Sequence, residues 1–92
     1  MNIETLVQQL KGLLEQLDAF ADLNEQIEDL NAELDDTIML LEDSAGDEEA
    51  VSDALEELEA LREDYLKADK RGNEDLKALA ARIRLLCENF KM

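Results

Sequence analysis

The chain of 92 residues contains no histidine, no proline and no tryptophan, and it has a single cysteine. Without histidine, the commonest general base and the commonest metal ligand in proteins are both missing. A single cysteine cannot form an internal disulfide, which is consistent with a reducing compartment. We therefore expect no enzyme activity, no catalytic residue, no metal ion and no cofactor. We expect the protein to be cytoplasmic.

Basic residues are scarce as well. The chain has 9 lysines and arginines and 25 acidic residues, which gives a net charge of −16. Proteins that bind nucleic acid neutralise its phosphates with basic side chains, so direct nucleic-acid binding is excluded. No apolar run approaches the ~18 residues of a membrane span, and we expect no membrane association. Hydrophobic residues make up 46% of the chain, which is too apolar for a disordered acidic tail. These proportions predict one folded domain over residues 1–92.

Two glycines mark the ends of predicted helices. Gly46 and Gly72 can take the left-handed conformation that ends a helix, while Ser44 or Asp47 and then Asn73 can cap the helix that follows. Acidic residues follow both caps and lie at the positive end of the helix dipole. These signals predict three helices, at about 2–43, 47–71 and 74–91.

The predicted helices carry apolar residues at alternating spacings of three and four, and no strand-like alternation competes with them. In the first helix this seam consists of Leu6, Leu10, Leu13, Leu17, Phe20, Asn24, Ile27, Asn31, Leu34, Ile38 and Leu41. The pattern predicts an all-α fold, a three-helix antiparallel bundle that resembles a coiled coil and has one long N-terminal helix. Asn24 and Asn31 either lie buried in the seam, where they would fix its register, or lie partly hydrated at its edge.

The predicted first helix is roughly 60 Å long and the second roughly 37 Å. If the second helix folds back along residues 20–43, an arm with an uncovered apolar face protrudes. That face consists of Ile3, Leu6, Val7, Leu10, Leu13, Leu14 and Leu17. Soluble proteins rarely expose such a patch, so we expect it to be the oligomer interface of a homodimer. The alternative is a bend near Gly12 or Asp22 that lets the third helix cover the same face.

Negative charge is concentrated in residues 18–64, which hold 19 acidic side chains and one basic residue, Arg62. If two helices share these charges, they carry about one net charge per 2.2 Å of length, compared with one per ~1.7 Å in duplex DNA. This similarity predicts an inhibitor that mimics nucleic acid and occupies a basic surface of a partner protein, such as a nuclease or a defence complex, as in phage or mobile-element anti-defence. A plainer interpretation is a solvated surface that only keeps the protein soluble.

The outward carboxylates that we expect to contact the partner lie on the first and second predicted helices. They are Asp18, Asp22, Glu25, Asp29, Glu33, Asp36, Glu49, Asp53, Glu56, Glu59 and Glu63. The alternative function is that of a coiled-coil adaptor or chaperone, which would capture a partner helix on the apolar face of the first helix.

Overall fold

A computed structural model of the chain describes residues 2–91, apart from the side chains of Leu23 and Lys91. It contains four α-helices and, within these residues, no strand, so the all-α prediction is confirmed. The prediction of three helices is wrong, because the segment expected to form one long helix at 2–43 forms two. The helices are α1 (Ile3–Asp18), α2 (Glu25–Asp43), α3 (Glu48–Ala68) and α4 (Glu74–Lys91), with a 3₁₀ turn at Ala21–Leu23.

The four helices form a ring in which each packs against the next along the chain and α4 packs against α1. Their connections span four to six residues, which favours antiparallel neighbours. The bundle measures 39 × 22 × 19 Å. One cluster of buried side chains fills its centre, and all four helices contribute to it. The largest fully buried side chains are Leu6, Leu10, Leu17, Ile27, Leu34, Ile38, Leu41, Leu58, Tyr65, Leu76, Ile83 and Cys87.

Asn24 is the residue at which α2 begins, so it interrupts the single long helix that the apolar seam predicted. Its backbone is extended, with φ −164° and ψ 128°, and its Oδ1 accepts a hydrogen bond from the Gln26 N–H at 2.9 Å. Its Nδ2 donates a hydrogen bond to the carbonyl oxygen of Ala68, the last residue of α3, at 2.9 Å. Asn24 is therefore a helix N-cap and also a link between two turns at one end of the bundle.

The bend between α1 and α2 brings the apolar face of α1 into the core of its own chain. Leu6, Leu10 and Leu17 are fully buried, because α1 packs between α2 and α4. The prediction of a protruding arm is therefore wrong, and the bend near Asp22 that was its alternative describes the structure. All seven residues that were expected to form the oligomer interface, Ile3, Leu6, Val7, Leu10, Leu13, Leu14 and Leu17, belong to this core or pack against it. The reason for expecting a homodimer through this face is thereby removed.

The predicted helix caps at the other two connections are confirmed. Gly46 has φ 98° and Gly72 has φ 67°, both in the left-handed region. The Oδ1 atom of Asp47 accepts hydrogen bonds from the second and third N–H groups of α3, and Asn73 does the same at the start of α4. α3 nevertheless ends before residue 71, because Asp69 takes an extended conformation and its carboxylate accepts two N–H groups of the connection.

Asn31 is the centre of a polar network that joins three helices. Its side chain is in the core, and the residue is only 5% exposed. Its Oδ1 accepts a hydrogen bond from the Tyr65 hydroxyl of α3 at 2.6 Å, and its Nδ2 donates to the Asp18 carboxylate of α1 at 3.1 Å. Of the two arrangements that the sequence left open, Asn31 adopts the buried one, whereas Asn24 is only partly buried and caps α2.

The network predicts the effect of removing the Tyr65 hydroxyl. In Tyr65→Phe the Oδ1 atom of Asn31 stays buried without its donor, which costs about 1–3 kcal/mol. We expect urea unfolding followed by circular dichroism to show a loss of this size. The variant that combines Tyr65→Phe with Asn31→Leu removes both buried polar groups, and we expect it to be more stable than Tyr65→Phe alone. A double variant that is less stable than Tyr65→Phe would contradict this account of the network.

Candidate functional site

A groove between α2 and α3, here called the acidic groove, combines an apolar floor with acidic walls. Thr37 and Leu61 are buried at its floor, and Leu40, which is 49% exposed, lies beside them. The walls carry two carboxylates from each helix, namely Glu33 and Asp36 on α2 and Glu57 and Asp64 on α3. Spacings of three and seven residues place each pair on one side of its helix, so the bundle holds all four carboxylates along one groove.

The electrostatics of α2 and α3 are strongly one-sided. α2 contains eight acidic residues and no basic residue, while α3 contains eight acidic residues together with Arg62 and Lys67. Salt bridges between described residues include Lys11–Glu42, Arg62–Glu63 and Arg84–Glu88. None of the four carboxylates in the walls of the acidic groove pairs with a basic side chain among those that the structure describes. The negative charge of the groove is therefore not neutralised within this part of the chain.

Seven of the eleven carboxylates predicted to contact a partner lie on exposed positions of α2 and α3 and do not line the cleft between α3 and α4. These are Glu25, Asp29, Glu33 and Asp36 on α2 and Glu49, Asp53 and Glu56 on α3. Glu33 and Asp36 belong to the acidic groove itself. The structure therefore brings a large part of the predicted set together on two neighbouring helices.

Of the other four predicted carboxylates, two precede α2, and two lie on α3 but border α4. Asp18 ends α1, where it accepts the hydrogen bond from Asn31, and Asp22 lies in the 3₁₀ turn. Glu59 and Glu63 line a separate cleft between α3 and α4, which also contains Arg62, Arg84 and Glu88. The bend after α1 explains the positions of Asp18 and Asp22. The packing of α4 against one side of α3 explains those of Glu59 and Glu63.

Glu57 and Asp64 are the two carboxylates of the acidic groove that were not among the residues predicted from the sequence. Their spacing of seven residues was a usable signal, because it places both on one face of a helix. What the sequence did not indicate was which side of α3 faces α2. That side follows from the position of Leu61, which packs at the floor of the groove between them.

The acidic surroundings also act on the core. Burial raises the pKa of the Tyr65 hydroxyl well above its ordinary value of 10.0, and the negative charges of Asp18 and Glu33 raise it further. A tyrosine that ionises there would add a further negative charge, in a desolvated site close to two carboxylates. Tyr65 therefore stays protonated and continues to donate its hydrogen bond to Asn31.

Residues 2–91 contain no cluster of three or more histidine, cysteine or acidic side chains that could hold a metal ion. Within the described residues no helix is long and apolar enough to cross a membrane. The apolar face of α1, on which a partner helix was expected to bind in the adaptor alternative, is occupied by α2 and α4. No family model, curated protein or solved structure matches the chain.

The raised pKa of Tyr65 predicts how stability depends on alkaline pH. The unfolded chain begins to release this proton near pH 10, whereas the folded chain retains it. The stability that Tyr65 contributes by keeping its proton is fully present below that pH. It is lost as the pH rises towards the pKa of the folded state. We expect the free energy of unfolding to fall above pH 10 by up to about 1.4 kcal/mol per pH unit. Tyr65→Phe lacks this contribution but keeps every lysine, and lysines also titrate at alkaline pH. Comparing the urea unfolding of the two proteins therefore isolates the effect of Tyr65. Parallel pH profiles would contradict the assignment.

The unneutralised carboxylates predict that salt stabilises the fold. Like charges four residues apart on a helix, such as Glu25 with Asp29 and Glu49 with Asp53, each cost about 0.2–0.5 kcal/mol. Screening several such pairs should therefore add about 1 kcal/mol, which raises the Tm of a domain of this size by roughly 4–8 °C. Thermal unfolding at low and at moderate sodium chloride measures the effect. A Tm that falls with salt would indicate that attractive ion pairs outweigh the repulsion.

Proposed function

We propose that this protein is a non-enzymatic inhibitor that mimics nucleic acid and occupies a basic surface of a nuclease or of a defence complex, as in phage or mobile-element anti-defence. The observation that carries the proposal is the pairing of α2 and α3. These neighbouring helices present carboxylates on both sides of the acidic groove, and the four in its walls have no basic partner among the described side chains. The partner is a protein, because a polyanion of this density repels nucleic acid.

The charge density supports mimicry of a duplex. Sixteen acidic and two basic residues give α2 and α3 together a net charge of −14. The longer of the two helices, α3, is about 31 Å long, so the pair carries one net charge per roughly 2.2 Å. Duplex DNA carries one per ~1.7 Å. A partner surface that binds phosphates with lysine and arginine would thus meet a similar number of negative groups along the same length.

The fold supports this function through rigidity. The carboxylates of the acidic groove project from helices whose inner faces lie in a single packed core. Side chains on such helices are held at fixed spacings before the partner arrives, so little ordering of the backbone is required on binding. A strong negative field also attracts a basic partner over a distance and increases the rate of association.

Charge reversal in the acidic groove tests the proposal. In the variant that combines Asp36→Lys with Glu57→Lys, each lost contact costs about 1.4 kcal/mol or more, so partner affinity should fall by at least about a hundredfold. Neither residue is part of the core, and circular dichroism should stay close to that of the wild type. The matched control combines Glu4→Lys with Glu15→Lys, which changes the net charge equally on exposed positions of α1.

The assay uses immobilised protein, a nuclease-treated lysate of the cells that produce it, and elution with duplex DNA. We expect DNA to release a nucleic-acid-binding protein from the wild type and from the α1 control, but nothing specific from the groove variant. Retention that depends on α2 and α3 but resists DNA would show binding without mimicry. Equal retention by the groove variant and the wild type would exclude the acidic groove as the contact surface.

A further inference from the structure

The apolar seam of the sequence continues through the bend that separates α1 from α2. Leu13, Leu17, Phe20, Asn24 and Ile27 follow one another at spacings of four and three without interruption. In a straight helix all of these positions would lie on one face. Residues 19–24, which form the connection, contain neither glycine nor proline. The connection could therefore be helical without changing which side chains of α1 and α2 face the core.

The bent form depends on a small number of interactions at the connection. Asn24 supplies two of them, the cap on the Gln26 N–H and the hydrogen bond to the carbonyl oxygen of Ala68. Phe20 packs against the core but is only partly buried. A straight helix would lose the cap of Asn24 and would gain regular helical hydrogen bonds across residues 19–24. The two forms of the connection thus differ by a limited set of local contacts.

We infer that this chain can exchange α1 with a second copy of itself. In the exchanged dimer, α1 and α2 of each chain form one continuous helix, and the apolar face of α1 packs against α2 and α4 of the other copy. The contacts that α1 makes with α2 and α4 within one chain are then made between two chains, including Lys11 with Glu42 and Asp18 with Asn31. Because these contacts are equivalent, the connection and the chain concentration decide between monomer and dimer.

Proline at residue 25 separates the two forms, because this residue is the first of α2. Proline is well tolerated at the first position of a helix. The extended conformation of Asn24, with φ −164° and ψ 128°, is also one that a residue before proline favours. In the continuous helix the same proline would lie in the interior, where it disfavours each long helix by about a hundredfold. Glu25→Pro should therefore fold as the bent monomer and exclude the dimer, and Glu25→Ala is the control for the lost carboxylate.

Replacement of Asn24 acts in the opposite direction. Asn24→Leu removes the cap and the bond to Ala68, and it completes the apolar seam. Two bent monomers each lose a cap that the exchanged dimer does not contain, so the association constant should rise roughly thirtyfold. Each protein is refolded from urea at roughly millimolar concentration in moderate salt, which screens the repulsion between two chains of net charge −16. Light scattering then measures the mass.

We expect a wild-type fraction at about twice 10.4 kDa, more of it in Asn24→Leu, and none in Glu25→Pro, while Glu25→Ala behaves as the wild type does. Refolding a mixture of isotopically labelled and unlabelled chains, followed by carbodiimide coupling, tests whether the dimer is exchanged. Carbodiimide joins Lys11 to Glu42 directly, so mass spectrometry should find links between a labelled and an unlabelled chain. A dimer with links only inside one chain, a dimer that persists in Glu25→Pro, or monomers throughout would overturn the inference.

Discussion

The bend between α1 and α2 is the constraint on which the rest of this structure depends. Each helix has one apolar face. The chain can bury all of these faces within itself only if α1 folds back against the other helices. Asn24 makes that turn stable, because it caps α2 and also holds the end of α3 through the carbonyl oxygen of Ala68. With the turn in place, α1 fills the space between α2 and α4, and the ring of four helices closes.

The closed ring also determines where negative charge accumulates. Each helix has two neighbours and one face towards solvent, so the many acidic residues of α2 and α3 are confined to outward positions and to the edges of the groove between them. α4 carries Arg82 and Arg84 but packs on the other side of α3, so neither borders the acidic groove. The unneutralised groove is thus a result of helix order around the ring as well as of composition.

Much of this fold could be predicted from the sequence, and the part that could not has an identifiable physical cause. Gly46, Asp47, Gly72 and Asn73 have strong local preferences, so the two later connections were predictable. The first connection has no such residue apart from Asn24, and the spacing of apolar residues is the same for a straight helix and for two helices joined by a bend. Tertiary contacts decided between them, in particular the burial of the face of α1 that a straight helix would leave exposed.

The position of Tyr65 has a practical consequence for optical spectroscopy. The protein contains no tryptophan, so this single tyrosine provides nearly all of its near-ultraviolet absorbance and its intrinsic fluorescence. The ring lies in the core, and its hydroxyl is bonded to Asn31, which in turn binds the end of α1. One chromophore therefore reports on the point where three helices meet. A change in its emission or its near-ultraviolet circular dichroism signals movement at that junction, without any label.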